Sequence, residues 1–179
     1  SILRPGGIQA LKNEYDSLNR VVKQIMPDGG ITEIEYDTAN LKTYHMKPDG
    51  SMIVYESDER FRNIKTIYED GEETYEYNDK NLRTLFVDKM GNETEYAYDH
   101  RGNLTGIRDA AGNAVSMAYD ENNRLLYKKT PDGSTIENIY DLEGRLTETR
   151  DAMGNSKKFC YDEFSRPVKI IQEEAPRSA

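Results

Sequence analysis

Along much of the chain, apolar and polar positions alternate with a period of two. Counted from a recurring tyrosine slot, the residues two places upstream are Ile34, Tyr55, Tyr75, Tyr96, Met117, Asn138 and Phe159. The slot itself holds Tyr36, Ser57, Tyr77, Tyr98, Tyr119, Tyr140 and Tyr161. None of these side chains is charged. The interleaved positions, one and three before each slot, carry Glu33, Glu35, Glu56, Glu76, Glu95, Glu137 and Lys158 among smaller residues. One aromatic face and one wet face at period two predict a β-strand in every unit. A second strand per unit is less regular. Val21 and Ile25, Leu85 and Val87, and Leu125 and Tyr127 share a face, but Leu41 and Leu82 fall one step early, so its register stays open.

The pattern repeats. Asp follows the slot at Asp16, Asp37, Asp58, Asp99, Asp120, Asp141 and Asp162, with Asn78 taking its place once. Every step is 21 residues except the 20 from Asp58 to Asn78. Gly29, Gly50, Gly71, Gly91, Gly112, Gly133 and Gly154 each lie 13 residues further on. Tyr15 fills the first slot, and Ser57 is the one departure from tyrosine. Asp opens a turn by accepting backbone N–H bonds, and Gly or Asn tolerates the left-handed backbone that closes it. The second turn is spelled Pro-Asp-Gly or Asp-x-x-Gly-Asn, and both fit a type I turn with a glycine bulge. Two tight turns and two short strands fill each unit and leave no room for a helix.

These observations predict an all-β chain of tandem hairpins: a lead-in over 1–14, seven repeats over 15–162, and the start of an eighth with a polar tail over 163–179. About fourteen antiparallel strands in one layer would span roughly 65–70 Å, beyond the width at which open sheets curl or split. Tyrosines recur on every second strand, so each is expected to rest on aliphatic residues of the strand between. Stability is then a sum of neighbour terms.

The unit Tyr-Asp-x-x-Gly-Arg-Leu, intact at Tyr140 to Leu146 and nearly so at Tyr98 to Leu104 and Tyr119 to Leu125, resembles the YD repeat of Rhs proteins. Similar repeats build bacterial toxin-complex cages, wall-associated polymorphic toxins and animal teneurins. The resemblance runs from Tyr15 to Asp162. It implies a spiral β-shell enclosing a C-terminal toxin domain, with further YD repeats of a parent chain and that toxin as partners. The shell-closing segment of the family, with its autoproteolytic core motif, has no counterpart here, and the chain reads as an excised piece of wall. Exposed strand edges at its two ends invite self-association. The resemblance also implies a secreted or cell-surface-delivered parent protein. An adhesive module whose tyrosines stack on carbohydrate is the alternative.

Composition narrows the chemistry. Net charge is −9, with 33 acidic and 24 basic residues among 179, which argues against a nucleic-acid or anionic-lipid surface. Thirteen tyrosines set the chain apart from a charged disordered segment. No apolar run is long enough for a membrane helix. The recurring carboxylates are read as turn formers rather than paired catalytic acids. His45 and His100 are read as isolated surface residues. The oxygen-rich Asn78–Asn81 and Asp120–Asn123 stretches lack the spacing of a calcium loop. Cys160, the single cysteine, lies on the charged face with nothing beside it to activate it. No catalytic, metal or cofactor residue is assigned.

Overall fold

The computed structural model describes residues 11–175, and among them every regular element is a β-strand. The chain divides into two units, Ser1–Asn92 and Glu93–Ala179. The first contains β1 (Lys12–Tyr15), β2 (Val21–Ile25), β3 (Ile31–Asp37), β4 (Lys42–Met46), β5 (Met52–Ser57), β6 (Asn63–Tyr68), β7 (Gly71–Tyr77) and β8 (Arg83–Val87). The second contains β9 (Glu93–Tyr98), β10 (Leu104–Arg108), β11 (Ala114–Tyr119), β12 (Leu125–Lys129), β13 (Thr135–Tyr140), β14 (Leu146–Asp151), β15 (Ser156–Tyr161) and β16 (Pro167–Glu173). Within each unit every strand pairs antiparallel with the next in the chain. The strands exceed the fourteen expected, because Lys12 to Glu14 of the lead-in join β1 and the residues after Asp162 complete another hairpin with β16.

Both turns of a repeat have one geometry. In the first, the Gly144 N–H donates to the Asp141 carbonyl at 3.0 Å and the Asp141 N–H to the Arg145 carbonyl at 3.0 Å. In the second, Gly154 donates to Asp151 at 3.1 Å and Asp151 to Asn155 at 3.0 Å. Gly144 and Gly154 both have φ of 84°. This is a type I turn closed by a left-handed residue, and its twist suits the flanking strands. The Pro-Asp-Gly spelling reaches the same fold with the residue before proline as opener, since Gly29 donates to Met26 and Met26 to Gly30.

Gly71 departs from this scheme. It pairs with Tyr68 across a two-residue turn at Glu69 and Asp70, so it starts a strand instead of closing a bulge. That shorter turn accounts for the single 20-residue step. The register left open by the sequence is set by a shift next to the tyrosine slot, for example between Ile139 and Tyr140 and between Cys160 and Tyr161. The β3–β4 hairpin has no such shift and pairs through to Asp37 and Lys42.

No apolar side chain is fully buried among the described residues; the two buried side chains are those of Thr66 and Ser156. The slot face is half-buried and the interleaved face mostly exposed, as the strict alternation of exposed and half-buried residues along β9 and β11 shows. Ladder and turn hydrogen bonds, rather than an apolar core, hold such a layer together.

Candidate functional site

The repeated feature with the most chemistry is a joint that ties each first turn to the next repeat. It begins with the Asp of the turn. Asp162 Oδ1 accepts the N–H groups of Phe164 and Arg166, both at 2.9 Å, and Asp16 treats Leu18 and Arg20 alike. The other oxygen, Oδ2, takes the side chain four residues after Asp: Arg20, Arg62, Arg124, Arg145 or Arg166, each through Nε at 2.6–2.7 Å. Where that position is asparagine, its amide serves instead, as Asn103 does for Asp99 at 2.9 Å. Second turns repeat this with Asp88–Asn92, Asp109–Asn113 and Asp151–Asn155 at 2.8 Å. Hydrogen bonds from the Arg62 side chain and then from its N–H hold the Asp58 carboxyl below its ordinary 3.8. The Asn155 side chain does the same for Asp151.

Four of these five guanidinium groups lie over the tyrosine of the following repeat, while Arg166 lies over Phe164. Arg20 stands 4.3 Å from the Tyr36 ring centre, Arg62 5.0 Å from Tyr77, Arg124 4.8 Å from Tyr140 and Arg145 5.2 Å from Tyr161. These distances are cation–π contacts. The same tyrosine hydroxyls donate to a carbonyl on the preceding strand: Tyr36 to Val21 at 3.0 Å, Tyr77 to Asn63 at 2.9 Å, Tyr140 to Leu125 at 3.0 Å and Tyr161 to Leu146 at 2.8 Å. Arg62 also reaches the Asn78 carbonyl at 3.1 Å, and Arg145 reaches Ser165 at 3.3 Å. Guanidinium and backbone carbonyl are thus partners of these tyrosines beyond the aliphatic neighbours that the sequence led one to expect. Sequence reasoning missed these arginines, although the signal was present as Arg or Asn four places after Asp in most repeats.

Three positions differ. Asn78 bonds the N–H groups of Lys80 and Leu82 but has Leu82 where others have arginine. Asp37 turns to Asn40, accepting its N–H at 3.1 Å and its amide at 2.7 Å. Leu41 stands four places after Asp37, and Ser57 occupies the slot that it would cover. Here both halves of the joint are missing together. Tyr15, in the first slot, is exposed.

Beside that gap the slot face is filled differently. Tyr68 and Tyr75 both donate to Glu73 Oε2, at 3.1 and 2.8 Å. Burial, and then the hydrogen bond to Glu73, push the Tyr68 phenol up to about 12. Lys89 lies 3.7 Å from the Tyr68 ring centre and pairs with Asp70 at 2.7 Å. Tyr75 stacks on Phe86, with ring centres 5.5 Å apart. His45 is half-buried against the edge of Tyr55, and burial lowers its pKa, which corrects its reading as a surface residue. His100 is exposed.

Among the described residues, no group of three or more His, Cys, Asp or Glu side chains is placed to hold a metal. Cys160 is a free, half-buried thiol opposite Lys169. The Asp residues of the repeats face their own turns and do not converge.

Residues 77–114 and 98–135 match the RHS Repeat family. No curated protein matches the chain. Solved structures share its fold. The crystal structure of TcdB2-TccC3-Cdc42 superposes with a TM-score of 0.70 at 14% identity, over 88% of this chain and 10% of that one. A structure of the Photorhabdus luminescens Tc holotoxin pore gives the same four values. The crystal structure of TcdB2-TccC3 gives 0.54 at 13% identity, over 92% and 12%. The chain thus spans about a tenth of the length of these structures. Residues 77–135 match RHS repeats, and the units on either side continue their turn geometry at the same spacing.

Proposed function

We propose that the array is a non-catalytic wall segment of an Rhs-type shell, whose parent protein encloses a C-terminal toxin domain for secretion or delivery to a cell surface. The observation that carries this reading is a β-layer in which four of the seven joints between repeats are riveted by arginine and tyrosine on the half-buried face, with no fully buried apolar side chain among the described residues. Its fold is shared by chains of the TcdB2-TccC3-Cdc42 and Tc holotoxin pore structures. A wall needs cohesion along its length and a face that offers a guest weak polar and aromatic contacts, and this face does so. The test is protease protection of the parent protein. A segment following the array should resist cleavage in the intact protein and be digested once mild acid loosens the turns. Cleavage at the same rate in both states would end the reading.

The carbohydrate-binding alternative is less well supported. Sugar stacking needs open ring faces, whereas Tyr36, Tyr77, Tyr140 and Tyr161 each carry a guanidinium on the ring and have a committed hydroxyl.

A further inference from the structure

At the joint where both arginine and tyrosine are missing, the protein has a cavity of about 300 Å³. Its walls include Tyr36, Asp37, Leu41, Thr43, Ser57 and Phe61. That volume falls at the lower end of small-molecule pockets. In four other repeats the space beside the slot residue and the residue four after Asp is occupied by a tyrosine ring under a guanidinium. Here Ser57 and Leu41 leave that space open and lined with apolar surface.

A second observation points to the same place. Six non-glycine residues adopt positive φ, and four of them are Asn19, Asn81, Asn123 and Ser165, small polar residues. The other two, Leu41 at 54° and Phe61 at 59°, both line this cavity. A bulky side chain in the left-handed region is strained, and such strain gathers at ligand-binding places. Asn or Gly would relieve it, yet the strained turns hold two large apolar side chains in the lining of the pocket.

We infer that this cavity is a binding site for a single phenolic ring, which takes the place of the tyrosine that Ser57 lacks. The ring would sit against Leu41, Thr43 and Phe61, with the Ser57 hydroxyl and the Asp37 carboxylate within the lining to meet its hydroxyl. The inference stands apart from the toxin-shell reading, since it needs only the described repeats.

The test is titration of the chain with p-cresol, followed by heteronuclear NMR. Saturable shifts centred on Leu41, Thr43, Ser57 and Phe61 are expected. Ser57→Tyr fills the cavity and should weaken binding at least tenfold. Phe61→Gly, which suits the left-handed turn and removes one wall, should weaken it several-fold while leaving the fold intact, and it keeps the test open if Ser57→Tyr misfolds. Shifts spread evenly over the sheet, or unchanged in both variants, would overturn the inference. N-acetyl-tyrosinamide distinguishes the source: binding on a par with p-cresol assigns the site to a tyrosine side chain of a polypeptide, and binding of p-cresol alone assigns it to a free phenol.

Discussion

Two joints of the same repeat solve one problem in opposite ways. Where Asp141, Arg145 and Tyr161 are all present, pairing between β14 and β15 stops after three residue pairs, from Arg150 and Ser156 to Glu148 and Lys158. Beyond that point the tyrosine and guanidinium stand in for the ladder. Where Leu41 and Ser57 replace them, β4 and β5 pair over five positions, from Met46 and Met52 to Lys42 and Glu56. The Ser57 N–H goes on to donate to the Leu41 carbonyl at 2.8 Å, and Lys42 pairs with Glu56 at 2.6 Å. β2–β3 and β12–β13, which carry the same side-chain wedge, also stop at three pairs, and so does β10–β11, where Asn103 replaces the arginine but Tyr119 fills the slot. The slot tyrosine and the extended ladder are thus alternatives. A repeat without its wedge recovers cohesion through backbone hydrogen bonds and leaves a cavity behind.

The contrast can be broken most directly at Tyr161. Tyr161→Ser imports the Ser57 solution without the longer ladder and should cost about 1–3 kcal/mol in chemical denaturation, in the range of damaging single substitutions. An effect near zero would mean that the wedge is ornamental.

Acid tests the carboxylates that hold the turns. Asp58, Asp88, Asp99 and Asp151 are held below their ordinary 3.8, chiefly by side-chain hydrogen bonds. A depressed folded-state pKa means that the unfolded chain binds protons first. Their contribution is therefore complete above about pH 4 and is lost as pH falls through the lower folded-state values. Thermal unfolding midpoints should fall steeply in that window, and Asp58→Asn should flatten the slope.

Tyr161→Phe keeps the ring under Arg145 and removes the bond to the Leu146 carbonyl. A loss of about 0.5–1.5 kcal/mol in urea denaturation is expected, the usual worth of one hydrogen bond. Smallest is the reverse graft. Leu41→Arg with Ser57→Tyr should stabilise by about 0.5–1 kcal/mol, the scale of an exposed cation–π contact. A loss of stability would show that the extended ladder leaves no room for the wedge.

Much of this architecture was legible in the residues. Asp-x-x-Gly and Pro-Asp-Gly mark turns because each Asp bonds N–H groups two to four residues away. The tyrosine face followed from period two alone. The arginine was not recognised, because its two partners lie at very different distances in the chain. Asp141 is four residues before Arg145 and Tyr161 is sixteen after it, so only the folded register brings all three together. The reading of His45 failed similarly, since its burial depends on Tyr55 across a strand pair.

The sequence by itself determined where the chain turns, which residues face together and how often the unit recurs, because turn chemistry and strand alternation act between near neighbours. The tertiary structure decided how the repeats are fastened, how far each ladder runs and where a cavity is left. Those depend on which side chains meet across strands, and a shift of one residue in pairing would change every such meeting.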